Sequence, residues 1–155
     1  MYPINQLSTM LTELTNEVID HLLNNQYFGR IGCSADNQLL IEPVMYHFDG
    51  LYIYGITREG TKTQMLRKNP NVAFEIDEMV SPGVWHSVVI EGEFEELQGN
   101  ERDYAVYLLN HRKVPLFAGE KPGLAGTAHP DGPKVVTPVV YRIHIRTKTG
   151  RSYRQ

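Results

Sequence analysis

The sequence predicts a mainly β protein: about six antiparallel strands closed into a barrel, with one helix ahead of them and further helices inserted. Three observations carry this reading. From Tyr27 onward most apolar residues recur at every second position, the period of a half-buried strand. The runs are separated by the short turn signals Asp36-Asn37, Asp49-Gly50 and Ser81-Pro82-Gly83, which join neighbouring strands as hairpins. An open sheet of so many strands leaves exposed edges, and closure removes them.

A chain of 155 residues is long enough to bury its own core and reads as one domain over 1–155. Hydrophobic residues make up 41% and charged residues 21%, and a formal net charge of -3 gives nucleic acid no electrostatic reason to bind. No apolar run is long enough to span a bilayer, and no basic start precedes an apolar export segment. Cys33 is the single cysteine and has no internal disulfide partner, so the expectation is a soluble, cytoplasmic protein.

Within residues 7–26, Leu11, Leu14, Val18 and Leu22, with Ile19 and Leu23 beside them, predict an amphipathic helix. His21 in that stretch has no second metal ligand at a useful spacing and reads as a surface residue. Tyr27–Ser34, Leu39–Phe48 and Leu51–Ile56 are the first three strands. Pro43 has no N–H for a ladder, so the second strand must bulge, leave the sheet or lie at an edge there, and a ligand could enter where the pairing opens. Glu42, Met45 and His47 either line such a gap or are solvated neighbours.

Thr61 followed by Gln64 predicts a capping box with Thr61 as N-cap, opening a short helix that ends before Pro70. Such a box leaves the amides of Lys62 and Thr63 unpaired. Lys62 and Arg58 add cations at the positive end of the helix dipole, which is unfavourable unless an anion lies between. Free amides, the Thr61 and Thr63 hydroxyls, a lysine and a nearby arginine suit a phosphate monoester. An ordinary short helix with solvated charges would have the same local sequence.

Asn71–Val80 alternates Val72, Phe74 and Ile76 against polar residues, as a half-buried strand does. In the long strand Val84–Leu97, Trp85, Ser87 and Val89 face one way and His86, Val88 and Ile90 the other, with a kink at Gly92. Glu91, Glu93, Glu95 and Glu96 fall on both faces, which marks a solvated strand end and not a general acid/base pair. Asn100–Arg112 reads as a helix capped by Asn100, with Tyr104, Leu108 and Leu109 on its apolar side. The proline- and glycine-rich Lys113–Lys134, which includes His129, is too long for a passive connector and reads as a loop or a flap over a site or partner. Val135–Arg146 supplies the last strand. No CxxC, HExxH, phosphate-loop or dinucleotide glycine pattern and no serine nucleophile elbow occurs, so hydrolase and metal chemistry have no support.

Several runs, in their order and spacing, carry a resemblance. They are Phe28-Gly29-Arg30-Ile31-Gly32, Glu42-Pro43-Val44-Met45-Tyr46, Asp49-Gly50-Leu51-Tyr52-Ile53-Tyr54, Gly60-Thr61-Lys62, Leu66 through Asp77, and Ser87-Val88-Val89-Ile90-Glu91-Gly92. The chain resembles the pyridoxamine 5'-phosphate oxidase-related FMN-binding split barrels, and among them the nitroimidazole-resistance branch, over about residues 15–97 and weakly over Ile143–Gly150. The resemblance implies a six-stranded antiparallel split-barrel homodimer with FMN at the subunit interface. It implies that Thr61, Lys62 and Thr63 hold the phosphate, that Pro43, Val44 and Met45 lie along the isoalloxazine, and that Tyr54, Gly55, Ile56 and Thr57 border the ribityl chain. Trp85 and Ser87 would flank the site from the partner subunit, although Trp85 equally suits a core or dimer-packing role.

The activity implied is that of an FMN-dependent oxidoreductase on a small-molecule substrate, with Tyr54 or His47 as candidate proton donors. Tyr54 stands where the nitroimidazole branch often has histidine, and the residues expected to bind pyridoxal phosphate are not evident. The alternatives are a non-catalytic flavin-binding or sensing module, or a related barrel holding haem or a deazaflavin. Haem would need an axial ligand that the sequence does not mark.

Overall fold

The computed structural model describes residues 11–112 and 137–154. In chain order the elements are β1 (Leu11–Glu13), α1 (Asn16–Asn25), β2 (Phe28–Ala35), β3 (Gln38–Phe48), β4 (Tyr52–Thr57), α2 (Thr61–Lys68), β5 (Asn71–Ser81), β6 (Val84–Glu96), α3 (Gly99–His111) and β7 (Val139–Arg154). The strands lie side by side as β7-β4-β3-β2-β5-β6, and β6 pairs back onto β7, so six strands close a barrel whose pairings are all antiparallel. Closure leaves no continuous edge to be covered.

The seventh strand is a correction to the sequence reading. Leu11–Glu13 pairs with Arg151–Tyr153 of β7, and the helix starts only at Asn16, where the Thr15 hydroxyl accepts the Val18 amide at 3.4 Å. A three-residue strand is too short to display its period, while Leu11 and Leu14 happen to continue the helical spacing of Val18 and Leu22. α1 buries Ile19, Leu22 and Leu23 against the barrel. The Tyr46 hydroxyl donates to the Leu23 carbonyl at 2.8 Å, satisfying one of the last-turn acceptors that a helix leaves unpaired.

The hairpin turns form where the sequence places them. Asp36 and Asn37 both take left-handed backbone angles, φ 50 and 60, as a tight two-residue turn requires. At the next turn Gly50 has φ 96, and the Asp49 carboxylate accepts the Leu51 and Tyr52 amides at 2.8 Å.

The barrel interior holds Ile31, Tyr46, Ile53, Phe74, Ile90, Tyr141 and Ile143, with Met65 and Leu66 of α2 joining the same core. A second cluster forms outside the barrel wall, where Ala105 and Leu109 of α3 pack on Tyr54, Leu97 and Val140. α3 begins at Gly99, with Gln98 as cap and no side-chain cap bond, so Asn100 lies in the first turn and does not cap the helix. β7 reaches Arg154, beyond the predicted end at Arg146. The polar run Arg146-Thr147-Lys148-Thr149 hides that continuation, and β7 bulges there because Glu91 and Gly92 oppose Thr147 and Ile145 with Arg146 between. Residues 7–10, Val135 and the Lys113–Lys134 segment with His129 lie outside the described residues. No helix among the described residues is long and apolar enough to cross a membrane.

Candidate functional site

The barrel opens beside Pro43. Tyr46 donates its amide to the Tyr27 carbonyl at 3.0 Å, so by alternation the even-numbered residues of β3 bond toward β2 and the odd-numbered ones face β4. Yet β4 pairs with β3 only at Tyr46, His47 and Phe48. Pro43 therefore turns its missing N–H to a stretch with no strand beside it among the described residues, the edge position that its chemistry demands. The backbone groups of Met45 face the same opening and have no ladder partner in β4.

α2 follows β4 after a three-residue connection, so its start belongs to this region of the chain. Its cap is Gly60, one residue earlier than the sequence predicts. The Thr63 hydroxyl accepts the Gly60 amide at 2.9 Å, and the Gln64 amide closes the first helical turn on the Gly60 carbonyl at 3.1 Å. Because Gly60 has no side chain to cap with, the Thr61 amide is left open beside that of Lys62, whereas Thr63 is fully buried and its amide is closed to a ligand. The Thr63 hydroxyl is turned inward to Gly60 and donates to Glu59 at 3.1 Å, so this buried residue shapes the start of the helix and offers a ligand nothing directly.

Lys62 is 8% exposed, and its ammonium lies 2.8 Å from the Glu42 carboxylate. This partner was missed, although a signal existed: alternation puts Glu42 on the inward side of β3 with Val44 and Tyr46, where a charge needs a counter-charge. Glu59 is engaged by Arg67, which also holds Glu96, and the guanidinium keeps the Glu59 carboxyl below its usual range. Arg58 and Thr61, on either side of the Gly60 cap, are exposed. An inventory of two amides, one ammonium with donors to spare, one guanidinium and one hydroxyl fits a phosphate.

The remaining predicted residues divide. Met45 and His47 alternate with the inward Val44, Tyr46 and Phe48, so they face outward beside the opening with Pro43. Burial, opposed by Asp49 and reinforced by the Arg112 charge, pulls His47 below its ordinary value and so favours the neutral imidazole. Val44 points into the core. Gly55 faces inward too: a Cβ there would lie 2.3 Å from the Tyr141 ring, so the glycine makes room for that ring. Ile56 and Thr57 end β4 at half-buried positions.

Tyr54 is only 3% exposed beneath α3, in edge contact with Tyr104. Among the described residues Tyr54 is covered by α3 and does not face the opening. Trp85 stacks on Tyr153 at 5.4 Å, and Ser87 lies two residues on. Their strand β6 is three strands from β3 in either direction around the barrel, so one chain does not bring them to Pro43 and Lys62. Arg112 was also missed: it is buried and donates to the Tyr46 carbonyl, while its Nε and Nη2 have no partner among the described residues.

The buried phenols make stability sensitive to alkali. Burial raises Tyr46, Tyr54 and Tyr141, Tyr54 to about 12. Unfolded tyrosines ionise near about pH 10, so above that the unfolded chain binds fewer protons than the native one and stability falls as pH rises. Urea melts should hold steady to about pH 9.5 and then weaken progressively toward pH 12. A flat series would mean that the native phenols titrate as freely as in water.

Comparison with known proteins places the architecture. An uncharacterized protein of Rhizobium meliloti (strain 1021) is 36% identical over 89 residues, which span 54% of this chain and 59% of that protein. The crystal structure of a FAD-binding protein from Mesorhizobium loti superposes with a TM-score of 0.71 at 25% identity, covering 92% of this chain and 98% of the other. A candidate 5-nitroimidazole antibiotic resistance protein from Bacteroides thetaiotaomicron gives a TM-score of 0.71 at 14% identity, over 92% of this chain and 87% of that one, a likeness of fold. The family model for pyridoxamine 5'-phosphate oxidase matches residues 15–152, nearly the whole of what the structure describes, and the chain belongs to that family.

Proposed function

We propose that this chain binds a flavin nucleotide, FMN alone or as half of FAD, and passes electrons between it and a small molecule. The observation that carries the reading is the opening in the β3–β4 ladder in a chain whose α2, just beyond β4, begins with the open amides of Thr61 and Lys62 and with the Lys62 ammonium. Arg58 and Thr61 would close on the phosphate from the exposed side, while the open backbone of Met45 would hydrogen-bond the polar edge of the ring. The bound flavin supplies hydride or single-electron chemistry. His47, facing outward beside Met45, is the residue to hold or release a proton there; His47→Ala that keeps flavin and full turnover would remove that role.

A homodimer accounts for residues the barrel keeps apart, since a second copy would bring its Trp85 and Ser87 to the opening. Leu39 and Ile41, 87% and 76% exposed and on one face of β3, give such a partner an apolar surface to cover. Ile41→Glu is expected to convert a dimer to a monomer in light scattering, with flavin released as the interface opens. An unchanged mass would place the interface elsewhere.

The decisive experiment is the visible absorption spectrum of the purified protein, with the released chromophore identified and NADH or NADPH then added. A flavin spectrum bleached by a nicotinamide donor supports the oxidoreductase. A flavin that no donor reduces supports a storage or sensing module, and a haem or deazaflavin spectrum replaces the reading.

A further inference from the structure

The outer face of β2 and β5 carries a charge cluster beside two very small residues. Gly32 lies across the ladder from Ala73, and one rung on Arg30 lies across from Glu75. These positions alternate with the buried Ile31, Val72 and Phe74, so they point away from the core. Arg30 donates through Nη1 to Asp77 at 2.7 Å and to Glu75 at 3.3 Å, with its charge 5.7 Å from the centre of the Phe28 ring. Among the described residues its other guanidinium nitrogens have no partner. One cation thus serves two carboxylates. Burial, together with Asp77, raises the Glu75 carboxyl above its usual range against the pull of Arg30, so Glu75 is short of positive charge.

Resting on the homodimer reading above, we propose that two copies pack this face on itself about a two-fold axis running between β2 and β5 and parallel to them, so that Arg30 of each copy pairs with Glu75 of the other. A two-fold contact is self-complementary, and this axis lays β2 of one copy over β5 of the other at the same rung. The Arg30 Nη1 stays with Asp77 while the unused nitrogens reach across, and each guanidinium then serves one carboxylate in each copy. Gly32 comes to face Ala73, so the two sheets approach most closely where the side chains are smallest. Strands of the two copies run nearly aligned, as packed sheets do. An axis across the strands at the same rung would instead set Arg30 against Arg30. The axis also lays β3 over β6, which brings Ser87 to the level of Met45 with Trp85 just beyond, beside the opening where the flavin reading needs them.

The exchange is tested by sedimentation of Arg30→Glu and Glu75→Arg, each alone and mixed in equal amounts. Alone, each variant sets like charges together at both symmetry-related contacts, and its dimer should weaken by about a hundredfold or more. Mixed, the new acid of one chain meets the new base of the other, native Arg30 meets native Glu75 at the second contact, and the dimer mass returns. A role confined to the fold of one chain is not rescued by mixing. Ala73→Trp is the independent variant: Ala73 is exposed within one chain, so the fold is kept, but the larger side chain holds the sheets apart and leaves a monomer. It decides alone if a charge reversal does not fold. If the wild type dimerises while the single variants stay dimeric, the mixture stays monomeric or Ala73→Trp dimerises, the exchange is overturned and the homodimer reading stands. A monomeric wild type overturns both.

Discussion

Lys62→Ala should weaken the binding of FMN by about 1.5–3 kcal/mol, the worth of hydrogen bonds to a charged group. That is roughly ten- to 150-fold in affinity at about 1.4 kcal/mol per decade. The loss belongs toward the upper end, because the substitution also leaves the Glu42 carboxylate facing the phosphate with no ammonium between. The buried stem of Lys62 packs as well as charges, so a loss of affinity alone would be ambiguous. Riboflavin resolves this: it has no phosphate, and its affinity should hold within about twofold. Equal losses for riboflavin and FMN would mean that the lysine supports the fold of α2 and not the ligand.

Phe74→Ala should cost about 3–5 kcal/mol of unfolding free energy, a large share of the roughly 5–15 kcal/mol that a domain has. Phe74 is 1% exposed and meets Tyr46 edge-on, ring centroids 5.1 Å apart. Across the ladder its ring occupies the space over Gly29, where a Cβ would come within 2.6 Å of it. Glycine therefore has nothing to move into the hole, and Tyr46 is tied to the Leu23 carbonyl. The cavity stays open, which is the expensive case. Urea denaturation read by far-UV circular dichroism measures it, and a loss below about 1 kcal/mol would show that the barrel relaxes around the deletion.

Legibility followed the range of the interactions. Pro43 announced an edge because the constraint sits in its own missing N–H, and Gly50 announced a turn because its backbone angle is its own. The free amides of α2 were readable from a few neighbouring residues, with the cap off by one because Thr63 satisfies the Gly60 amide as well as Gln64 would have satisfied that of Thr61. What stayed hidden was set by distant chain. Tyr54 sits on a strand like any other until α3, some fifty residues later, covers it. The Glu42–Lys62 pair needs two elements in register, and the separation of Trp85 from Pro43 needs the order of strands around the barrel. Leu11 was misread for the opposite reason, since three residues of strand leave too little pattern to outweigh a neighbouring helix.

β7 pairs with β1, β4 and β6, and everything it joins precedes it in the chain. On a ribosome, β2 to β5 can meet their neighbours as they emerge, but β4 and β6 each wait for the last strand with one side bare. Loops of some 45 to 140 residues must close at once, an entropic cost that grows only slowly with length but makes such topologies slow to fold. The growing chain is thus an open, edge-bearing sheet until β7 emerges, and its most dangerous moment for aggregation comes just before that strand arrives.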